Sequence, residues 1–310
     1  MEFYHNPIML KEVLEGLNIN PSGIYLDCTL GGAGHSEEIL KHLNAHGLLI
    51  GIDKDDDAIA YSSQRLKGYK NKLIVKADFK DVKRVLDKHN IGSIDGALID
   101  LGISSHQIDD GARGFSFLRE GRLDMRMDKT QELSAYEVVN YYPEDRLVKI
   151  LYEYGEESFA RVIVRKIVEQ RKVKPIETTL ELKDIIESAL PKKVIYKSGG
   201  ASKKTFQAIR IEVNGELDRL DSTLEYLISK LKSGGRLAVL SFHSLEDRIV
   251  KRVFKTESTD CLCPSGVPIC VCGHKKSIRL INKKPIIASA EEVKQNPRSA
   301  PAKLRVVEKI

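Results

Sequence analysis

In the first hundred residues, short apolar runs alternate with segments in which apolar residues recur at helical spacing. This alternation is typical of βα units, in which helices connect the strands of a parallel sheet. The predicted strands are 24–30, 48–53, 72–77 and 94–101, and the predicted helices begin near Ser36, Asp55 and Phe79. Consecutive βα steps predict an α/β fold with a doubly wound, Rossmann-like sheet.

After Leu101 the alternation stops, and the pattern predicts helices at 134–140, 144–153, 158–171 and 179–189. The sheet pattern returns with a long helix predicted over 204–232. Gly234 and Gly235 would end this helix, because glycine is common just after a helix. Further strands are predicted at 236–242, 284–289 and 304–308, and a helix at 245–255. We therefore predict a sheet domain formed by 1–105 and 204–310, with a mostly helical domain inserted at 106–203.

The composition adds a cellular context. With 42% hydrophobic and 30% charged residues, the chain has the balance of an ordinary folded domain. No apolar run approaches the roughly 20 residues that span a bilayer, and the N-terminal MEFYHNPIML lacks the features of a signal peptide. We therefore expect a cytoplasmic protein with no membrane partner. A net charge of +6 is compatible with a nucleic-acid partner but does not require one.

A glycine-rich turn, YLDCTLGGAGHS at 25–36, joins a predicted strand to a predicted helix. Glycine lets the backbone approach a ligand closely, and a helix N-terminus offers amide donors. The turn therefore predicts a nucleotide-type pocket, although glycine turns also serve as simple tight connections. It departs from the dinucleotide fingerprint G-x-G-x-x-G, because Glu37 occupies the third glycine position and Asp27 precedes the turn.

Two residues after the turn could complete this pocket. Asp53 ends the second predicted strand, where a carboxylate can accept hydrogen bonds from both hydroxyls of a ribose. Phe79 follows the third strand, where its ring could flank an adenine. The same position equally suits a hydrophobic residue that packs at a helix start.

The fourth predicted strand ends at Asp100, at the edge where open α/β sheets place their chemistry. This carboxylate could also serve only as a helix cap. The stretch GARGFSFLREGRLDMRMD at 111–128 then mixes arginines with phenylalanines, a combination that suits RNA phosphates and stacked bases. A surface loop anchored by its phenylalanines is the alternative interpretation.

Six stretches, DLGISSHQID, RGFSF, LDMRMD, KTFQAIRIEVNGEL, SFHSLEDRIVK and NPRSAPAKLR, resemble the ribosomal RNA small-subunit methyltransferase H family, and the resemblance runs from His5 to the C-terminus. It implies a Rossmann-like class I methyltransferase with an inserted helical domain. Such an enzyme would transfer a methyl group from S-adenosyl-L-methionine to N4 of a cytidine at the decoding centre. The implied partner is 16S ribosomal RNA within the small ribosomal subunit, and a homodimer is left open.

Matching positions carry the family's cofactor contacts onto this chain. The implied contacts are Ala33, Gly34, His35, Asp53, Phe79, Asp100 and Gln107. The chain departs from the family pattern at Ala33, where glycine is usual, and at His106 and Arg122, where proline is usual. Ala33 should leave cofactor binding intact if its φ is negative.

The reaction itself sets demands on the site. The N4 amine of cytosine is a poor nucleophile because its lone pair is delocalised into the ring, so positioning is most of the catalysis. The catalytic candidates are Asp100, Ser104 and Ser105. Asp100 could accept a hydrogen bond from the amine or bind the amino end of the cofactor, and both roles stay open. Methylation at C5 is disfavoured, because it needs a cysteine beside a proline and the chain contains no Pro-Cys pair.

The substrate side is predicted from basic and aromatic residues. Lys197, Lys203, Lys204 and Arg210 surround Gly199 and Gly200, and the resemblance favours RNA contact over a merely solvated charge run. The predicted substrate contacts are Arg113, Phe115, Arg126, Lys204, Arg210, His243 and Arg298, with Asn296 and Ser299 in the wall of the site and Asp247 near His243. A histidine at this position could also be a helix cap.

Four of the five cysteines, Cys261, Cys263, Cys270 and Cys272, lie within one short segment, whereas Cys28 is alone in an apolar stretch. Such clustering in a cytoplasmic protein favours a metal over disulfides. Structural zinc is one interpretation, with His274 as a competing ligand. The two C-x-C pairs differ from the usual C-x-x-C spacing, so no metal is assigned from sequence, and a catalytic metal is disfavoured.

Two other functions compete with methyl transfer. A nicotinamide-dependent oxidoreductase would explain the glycine turn and Asp53. It would not explain the inserted domain or the stretch of arginines and phenylalanines at 111–128. A non-catalytic RNA-binding assembly factor would explain the basic and aromatic residues but would leave the glycine turn without a role.

Overall fold

The computed structural model describes residues 7–197, 202–264 and 269–310. The chain divides into two compact units. Met1–Gly102 and Asp218–Ile310 form the first, which we call the sheet unit, and Ile103–Leu217 forms the second, the helical unit. In the described ranges, no helix is both long enough and apolar enough to cross a membrane.

The sheet unit is built on a single eight-stranded sheet. Its strands are β1 (Ile24–Asp27), β2 (Leu48–Asp53), β3 (Lys72–Lys76), β4 (Ile94–Asp100), β5 (Leu231–Ser241), β6 (Ile278–Leu280), β7 (Ile286–Ile287) and β8 (Lys303–Lys309). Their order is β3-β2-β1-β4-β5-β8-β6, with β7 also pairing with β8. The first five strands run parallel and β8 is antiparallel to β5. The predicted Rossmann-like α/β fold is confirmed.

Helices cover both faces of this sheet. They are α1 (Leu10–Leu17), α2 (Gly34–His42), α3 (Asp56–Arg65), α4 (Val82–Lys88), α12 (Leu220–Lys230), α13 (Ser244–Glu257) and α14 (Ala290–Gln295). On one face, Leu26 of β1 packs in a cluster with Leu224 of α12, and on the other Tyr25 shares a cluster with Val13 of α1. Because side chains alternate along a strand, a sheet buried on both faces has nearly continuous apolar strands.

The predicted helix over 204–232 is wrong in two respects. It is divided into α11 (Ser202–Asn214) and α12, because Gly215 and Arg219 between them have φ values of 56° and 54°, outside the helical region. Gly234 and Gly235 do not end a helix. They lie inside β5, where the pairing with β4 shifts register. A Cβ on Gly235 would lie 2.9 Å from the Asp95 carbonyl oxygen, so glycine permits this close approach.

The helical unit consists of α5 (Ser105–Asp109), α6 (Ala135–Tyr141), α7 (Glu144–Glu153), α8 (Ala160–Arg171), α9 (Thr179–Ser188), α10 (Lys192–Lys197) and α11. It has its own core, in which Leu151 and Ile163 are fully buried. Phe206 and Ile209 of α11 belong to this core, so the structure keeps α11 in the helical unit, whereas the sequence placed 204–217 in the sheet domain.

Candidate cofactor and catalytic site

The glycine-rich turn between β1 and α2 is held by contacts from outside the turn. The Gly31 amide donates to the Asp53 carboxylate at 2.8 Å. The Gly31 carbonyl accepts from the Ser62 hydroxyl at 2.7 Å, and the Gly32 carbonyl accepts from the Arg65 guanidinium at 2.8 Å. β2 and α3 therefore fix the shape of the turn before any ligand binds.

Positive φ values occur at one glycine of the turn and at the alanine that departs from the family pattern. Gly31 has φ 49°, and Ala33 has φ 56° in the left-handed region. The condition set for Ala33, a negative φ, is therefore not met, and its backbone carries a cost of about 1–2 kcal/mol because of its Cβ. Gly34 is restricted by packing instead, since a Cβ there would lie 3.0 Å from the Pro7 ring.

Glu37, which occupies the third glycine position of a dinucleotide fingerprint, has a structural partner. Its carboxylate accepts from Arg65 Nε at 2.9 Å, and the Arg65 Nη2 atom lies 2.7 Å away. The same guanidinium binds the Gly32 carbonyl, so α2, α3 and the turn are joined through one side chain.

Asp53 lies at the carboxyl end of β2, as predicted. One carboxylate oxygen accepts from the Gly31 amide and the other accepts from the Asp55 amide at 2.9 Å. Burial raises the pKa of Asp53 above its ordinary value. Since an ionised carboxylate offers about four acceptor positions, this arrangement leaves capacity for two ribose hydroxyls.

Phe79 follows β3 at the same edge of the sheet and is 8% exposed. Its ring packs with Val82 and other residues of the sheet-unit core. The structure therefore shows the core-packing role that the sequence left open beside adenine contact.

Asp100 ends β4 close to the turn. Its backbone amide donates to the Thr29 hydroxyl at 2.7 Å, which joins the end of β4 to the turn. Burial, followed by the charges of Asp27 and Glu246, raises the pKa of Asp100 to about 7. Burial likewise raises the pKa of Asp27 to about 6, although its carboxylate accepts from the Ser36 hydroxyl at 2.7 Å.

His35 lies against Asp100. Its Nε2 atom is 2.9 Å from the Ile8 carbonyl oxygen, and its Nδ1 atom is 3.8 Å from the Asp100 carboxylate. Because a carbonyl oxygen can only accept, Nε2 carries a proton. The Nδ1 distance is too long for a hydrogen bond, so any charge on His35 would act on Asp100 through space.

His243 caps a helix in this structure. Its Nδ1 atom accepts from the Glu246 amide at 3.4 Å, and the Glu246 carboxylate accepts from the Phe242 amide at 2.7 Å. The His243 amide also donates to the Glu246 carboxylate, at 3.2 Å, and this bond and the one to His243 Nδ1 form a capping box at the start of α13. Asp247 also has partners, the guanidinium of Arg305 at 2.7 Å and the ammonium of Lys303 at 3.3 Å.

The C-terminal candidates lie in the turn after α14. The Asn296 side chain accepts from the Arg298 amide at 3.2 Å, and the Ser299 hydroxyl donates to the Asn296 carbonyl at 2.8 Å. Ser299 is fully buried. Asn296 and Ser299 therefore shape the turn that presents Arg298.

Three predicted residues belong to the helical unit at α5. Ser104 and Gln107 form a capping box, in which the Ser104 amide donates to the Gln107 side chain at 3.0 Å and the Gln107 amide donates to the Ser104 hydroxyl at 3.2 Å. Ser105 is the first residue of α5. His106 follows in the first turn, where proline is well tolerated, so its departure from the family pattern leaves this helix start intact.

The arginines predicted to bind RNA already have protein partners. Arg113 is buried and donates to the carbonyls of Arg126 and Met127, each at 3.0 Å. Arg126 forms a two-pronged ion pair with Asp124, with both nitrogen–oxygen distances 2.8 Å. Phe115 is buried in the core of the helical unit.

Arg122 stands where proline is usual, and its backbone explains why both residues suit the position. It forms an isolated antiparallel bridge with Thr178. The two hydrogen bonds of the bridge are donated by Leu123 to Glu177 and by Thr179 to Gly121. The bridge therefore does not depend on an amide hydrogen at position 122.

The basic segment before α11 is only partly described. Gly199 and Gly200, and the side chain of Lys197, lie outside the described residues. Lys204 is exposed and donates to the Glu156 carbonyl at 2.9 Å. Arg210 forms a two-pronged pair with Glu216, at 2.8 and 2.9 Å.

Sequence reasoning missed the residues that hold the site together. Thr29, Ser36, Ser62 and Arg65 fix the turn and the end of β4, and Glu246 completes the cap of α13. The only usable signal was local, in the His-x-x-Glu spacing of a capping box.

The four clustered cysteines, Cys261, Cys263, Cys270 and Cys272, lie in the loop between α13 and β6.

Comparisons with known proteins extend over the whole chain. The sequence model described as the MraW methylase family matches residues 2–310. A Clostridioides difficile protein named Ribosomal RNA small subunit methyltransferase H is 50% identical over 311 residues, covering 100% of both chains. A Clostridium botulinum protein of the same name is 51% identical over 310 residues, also covering 100% of both. Among solved structures, an rRNA methylase from Streptococcus thermophilus covers 97% of this chain and 93% of its own, at 14% identity and a TM-score of 0.39, too distant to carry an argument.

Proposed function

The chain belongs to the MraW methylase family, and from this premise we propose that it methylates the exocyclic N4 amine of a cytidine at the decoding centre of 16S ribosomal RNA. The methyl donor is S-adenosylmethionine, and the acceptor RNA lies within the small ribosomal subunit. Relatives that are 50% and 51% identical over their full length carry the name of a small-subunit RNA methyltransferase. That name supports the acceptor class, and the atom N4 is our extension.

The observation that carries the donor assignment is the accumulation of carboxylates around the glycine turn. Asp27, Asp53 and Asp100 end three neighbouring strands, and burial raises the pKa of all three. Asp53 suits the ribose of either cofactor, but a dinucleotide would also bring an anionic pyrophosphate to this turn, where Asp27 and Asp100 would repel it. S-Adenosylmethionine instead brings a sulfonium, an ammonium and a ribose diol, which negative charge and acceptor oxygens favour.

The chain's own residues divide the binding work. Asp53 is placed to accept from the ribose hydroxyls while it also holds the Gly31 amide. Asp100 is placed either to bind the ammonium of the donor or to accept a hydrogen bond from the N4 amine. Binding the ammonium requires the carboxylate form, and burial raises the pKa of this group to about 7. The donor supplies an electrophilic methyl group when it is bound.

Transfer to N4 then requires alignment more than activation. The amine attacks the methyl carbon, the carbon–sulfur bond breaks, and the amine gives up one proton. Asp100, in its carboxylate form, is one group at the strand edge that could accept this proton. The assignments of Ser104, Ser105 and Gln107 to the site stay predictions.

Methylation at C5 of cytosine is the competing chemistry. It needs a reactive thiolate at the sheet edge, but Cys28 is buried and burial raises the pKa of its thiol well above the usual range. The other four cysteines lie together in the loop after α13. These placements favour N4. The comparisons give no support for a homodimer, and none is proposed.

The experiment is a transfer assay with a panel of acceptors. The protein and methyl-labelled S-adenosylmethionine are incubated with unmethylated small subunits, free 16S ribosomal RNA and DNA, and the nucleosides are separated by mass spectrometry. We expect label on N4-methylcytidine from the ribosomal acceptors. Label on C5, on a ribose hydroxyl or on DNA would contradict the proposal.

A further inference from the structure

The four cysteines after α13 place their sulfur atoms in one compact group. Cys261 Sγ lies 3.5 Å from Cys270 Sγ and 3.9 Å from Cys272 Sγ, and Cys270 Sγ lies 3.5 Å from Cys272 Sγ. With Cys263, all four sulfurs lie within 4.8 Å of one another. A zinc–sulfur bond of about 2.3 Å in a tetrahedron gives sulfur–sulfur separations of about 3.8 Å. The observed spacing therefore matches four thiolates around one ion.

These distances also exclude disulfides in the structure. A disulfide joins two sulfurs at about 2.05 Å, and all four cysteines are free thiols. The sulfurs thus approach to near their contact distance without a covalent bond. If these thiols ionise, four thiolates at this spacing repel one another unless a cation is bound between them.

Backbone amides near the quartet point toward the sulfurs. The Cys263 amide donates to Cys261 Sγ at 3.4 Å, the Leu262 amide to Cys272 Sγ at 3.4 Å, and the Val271 amide to Cys263 Sγ at 3.5 Å. Such donors stabilise negative charge on sulfur. They are the outer contacts that a charged metal–thiolate group requires.

Among the described residues near the cysteines, the apolar side chains are exposed. Leu262, Ile269 and Val271 are 48%, 77% and 81% exposed, so these apolar residues contribute no core. The base of the loop is fixed, since the His274 ring is 3.0 Å from the Thr256 carbonyl and the Ser277 amide donates to the Glu257 carbonyl at 2.8 Å. A short segment without a core commonly depends on a metal or a cross-link.

We propose that Cys261, Cys263, Cys270 and Cys272 bind one Zn²⁺ as a closed four-thiolate structural site that organises the loop between α13 and β6. His274 is not a ligand in this proposal, because it is not among the residues whose ligand atoms lie within 4.8 Å of one another. Four protein ligands leave no open position, so this ion takes no part in methyl transfer. The proposal stands independently of the function proposed above.

The first test is metal analysis by inductively coupled plasma mass spectrometry on protein purified without chelator. We expect about one zinc per chain, and less than about one-tenth in a Cys261→Ser/Cys272→Ser variant. Cys28→Ala and His274→Gln are the matched controls and should keep the metal. Less than about one-tenth of an equivalent in the unaltered protein, iron in place of zinc, or full zinc in the double variant would overturn the proposal.

A second measurement uses the unaltered chain, so it does not depend on a variant that folds. The quartet should react slowly with a thiol reagent until a chelator removes the metal, and four thiols should then react quickly. Replacement of zinc by Co²⁺ should produce the visible absorption of a tetrahedral thiolate site. Four fast thiols before chelation, or no such absorption, would contradict the assignment.

Discussion

The strand-end carboxylates of the sheet unit and the paired arginines of the helical unit lie in different environments. In the sheet unit, Asp27, Asp53 and Asp100 lie at strand ends where burial raises their pKa values. In the helical unit, Arg126 and Arg210 each form a two-pronged ion pair with a neighbouring carboxylate. A charged group that burial destabilises indicates a ligand-binding site, whereas a charged group in an ion pair with a neighbouring residue indicates a structural role.

The comparison changes how the predicted substrate arginines are understood. Arginine beside phenylalanine suggested phosphates and stacked bases, but Arg113 donates to two backbone carbonyls. Removing such a group would act first on stability. Lys204 is a clearer candidate for RNA contact, because its side chain is exposed although its ammonium also donates to the Glu156 carbonyl.

The largest expected effect is at Asp100. Asp100→Asn should lower kcat/KM for methyl transfer by about 10²–10³-fold, the cost of losing a charge that acts on the reacting groups. The fold should persist, because the contact with Thr29 uses the Asp100 backbone amide. Steady-state transfer to small subunits measures the effect.

Asp221→Asn is the control, since Asp221 is exposed and pairs with Arg252 at 3.2 Å. It should leave turnover unchanged. An Asp100→Asn protein that retained more than about a third of its activity would remove that carboxylate from the mechanism.

The next effect concerns the Arg210–Glu216 pair in the helical unit. Arg210→Met should destabilise the protein by about 2–3 kcal/mol, because it leaves the 7%-exposed Glu216 without its partner. Urea denaturation measures the change. A second substitution, Glu216→Leu, should restore most of the stability.

Lys204→Ala should have the opposite effect to Arg210→Met. The free energy of unfolding should change by less than about 0.5 kcal/mol, while the affinity for RNA falls. If Arg210→Met instead weakened RNA binding at unchanged stability, the ion pair would not be structural. The contrast between the two units would then be lost.

A smaller effect is a difference in the pH dependence of the two units. On folding, the pKa of Asp27 rises from 3.8 to about 6 and that of Asp100 from 3.8 to about 7. Between the ordinary and the raised pKa of each group, the folded chain therefore binds more protons than the unfolded chain. This contribution is fully present below the ordinary pKa and is lost as the pH rises through about 6 and about 7.

Asp124 in the helical unit behaves oppositely. Although burial opposes it, the hydrogen bonds from Arg126 hold the pKa of Asp124 below its usual value, so its contribution is lost only as the pH falls. Hydrogen exchange, corrected for intrinsic rates, should show protection falling in the sheet unit between about pH 5 and 7.5, but not in the helical unit. Equal changes in both would contradict the comparison.

The smallest effect is expected at Ala33. Ala33→Gly should relieve the positive φ by about 1 kcal/mol and lose about 0.8 kcal/mol of methyl burial, since Ala33 is fully buried. The melting temperature should therefore hardly change. A loss above about 2 kcal/mol would show that the left-handed conformation carries no strain.

The sequence predicted the first four strands well because strands covered on both faces are apolar throughout. β2 was predicted with its observed bounds. The prediction from sequence failed at Arg219, where one positive φ separates α11 from α12. Arginine has no general preference for that conformation, so no pattern reports it.

The sequence predicted which residues lie at the candidate site, but not which residues they form hydrogen bonds with. Asp53 and Asp100 follow from their places at strand ends. The bond from Asp100 to Thr29 joins residues 71 positions apart, and the bond from Gly31 to Asp53 spans 22. Such contacts depend on strand order, which only the folded sheet supplies.

The central claim is that the carboxylates around the glycine turn select a cationic methyl donor over a dinucleotide. Calorimetric titration of the protein with S-adenosylmethionine and with NAD tests it directly, with Asp53→Asn as the site variant. We predict one S-adenosylmethionine bound per chain, at least about tenfold weaker in the variant, and no binding of NAD. Binding of NAD alone would contradict the claim and favour an oxidoreductase, and binding of neither would favour a non-catalytic RNA-binding protein.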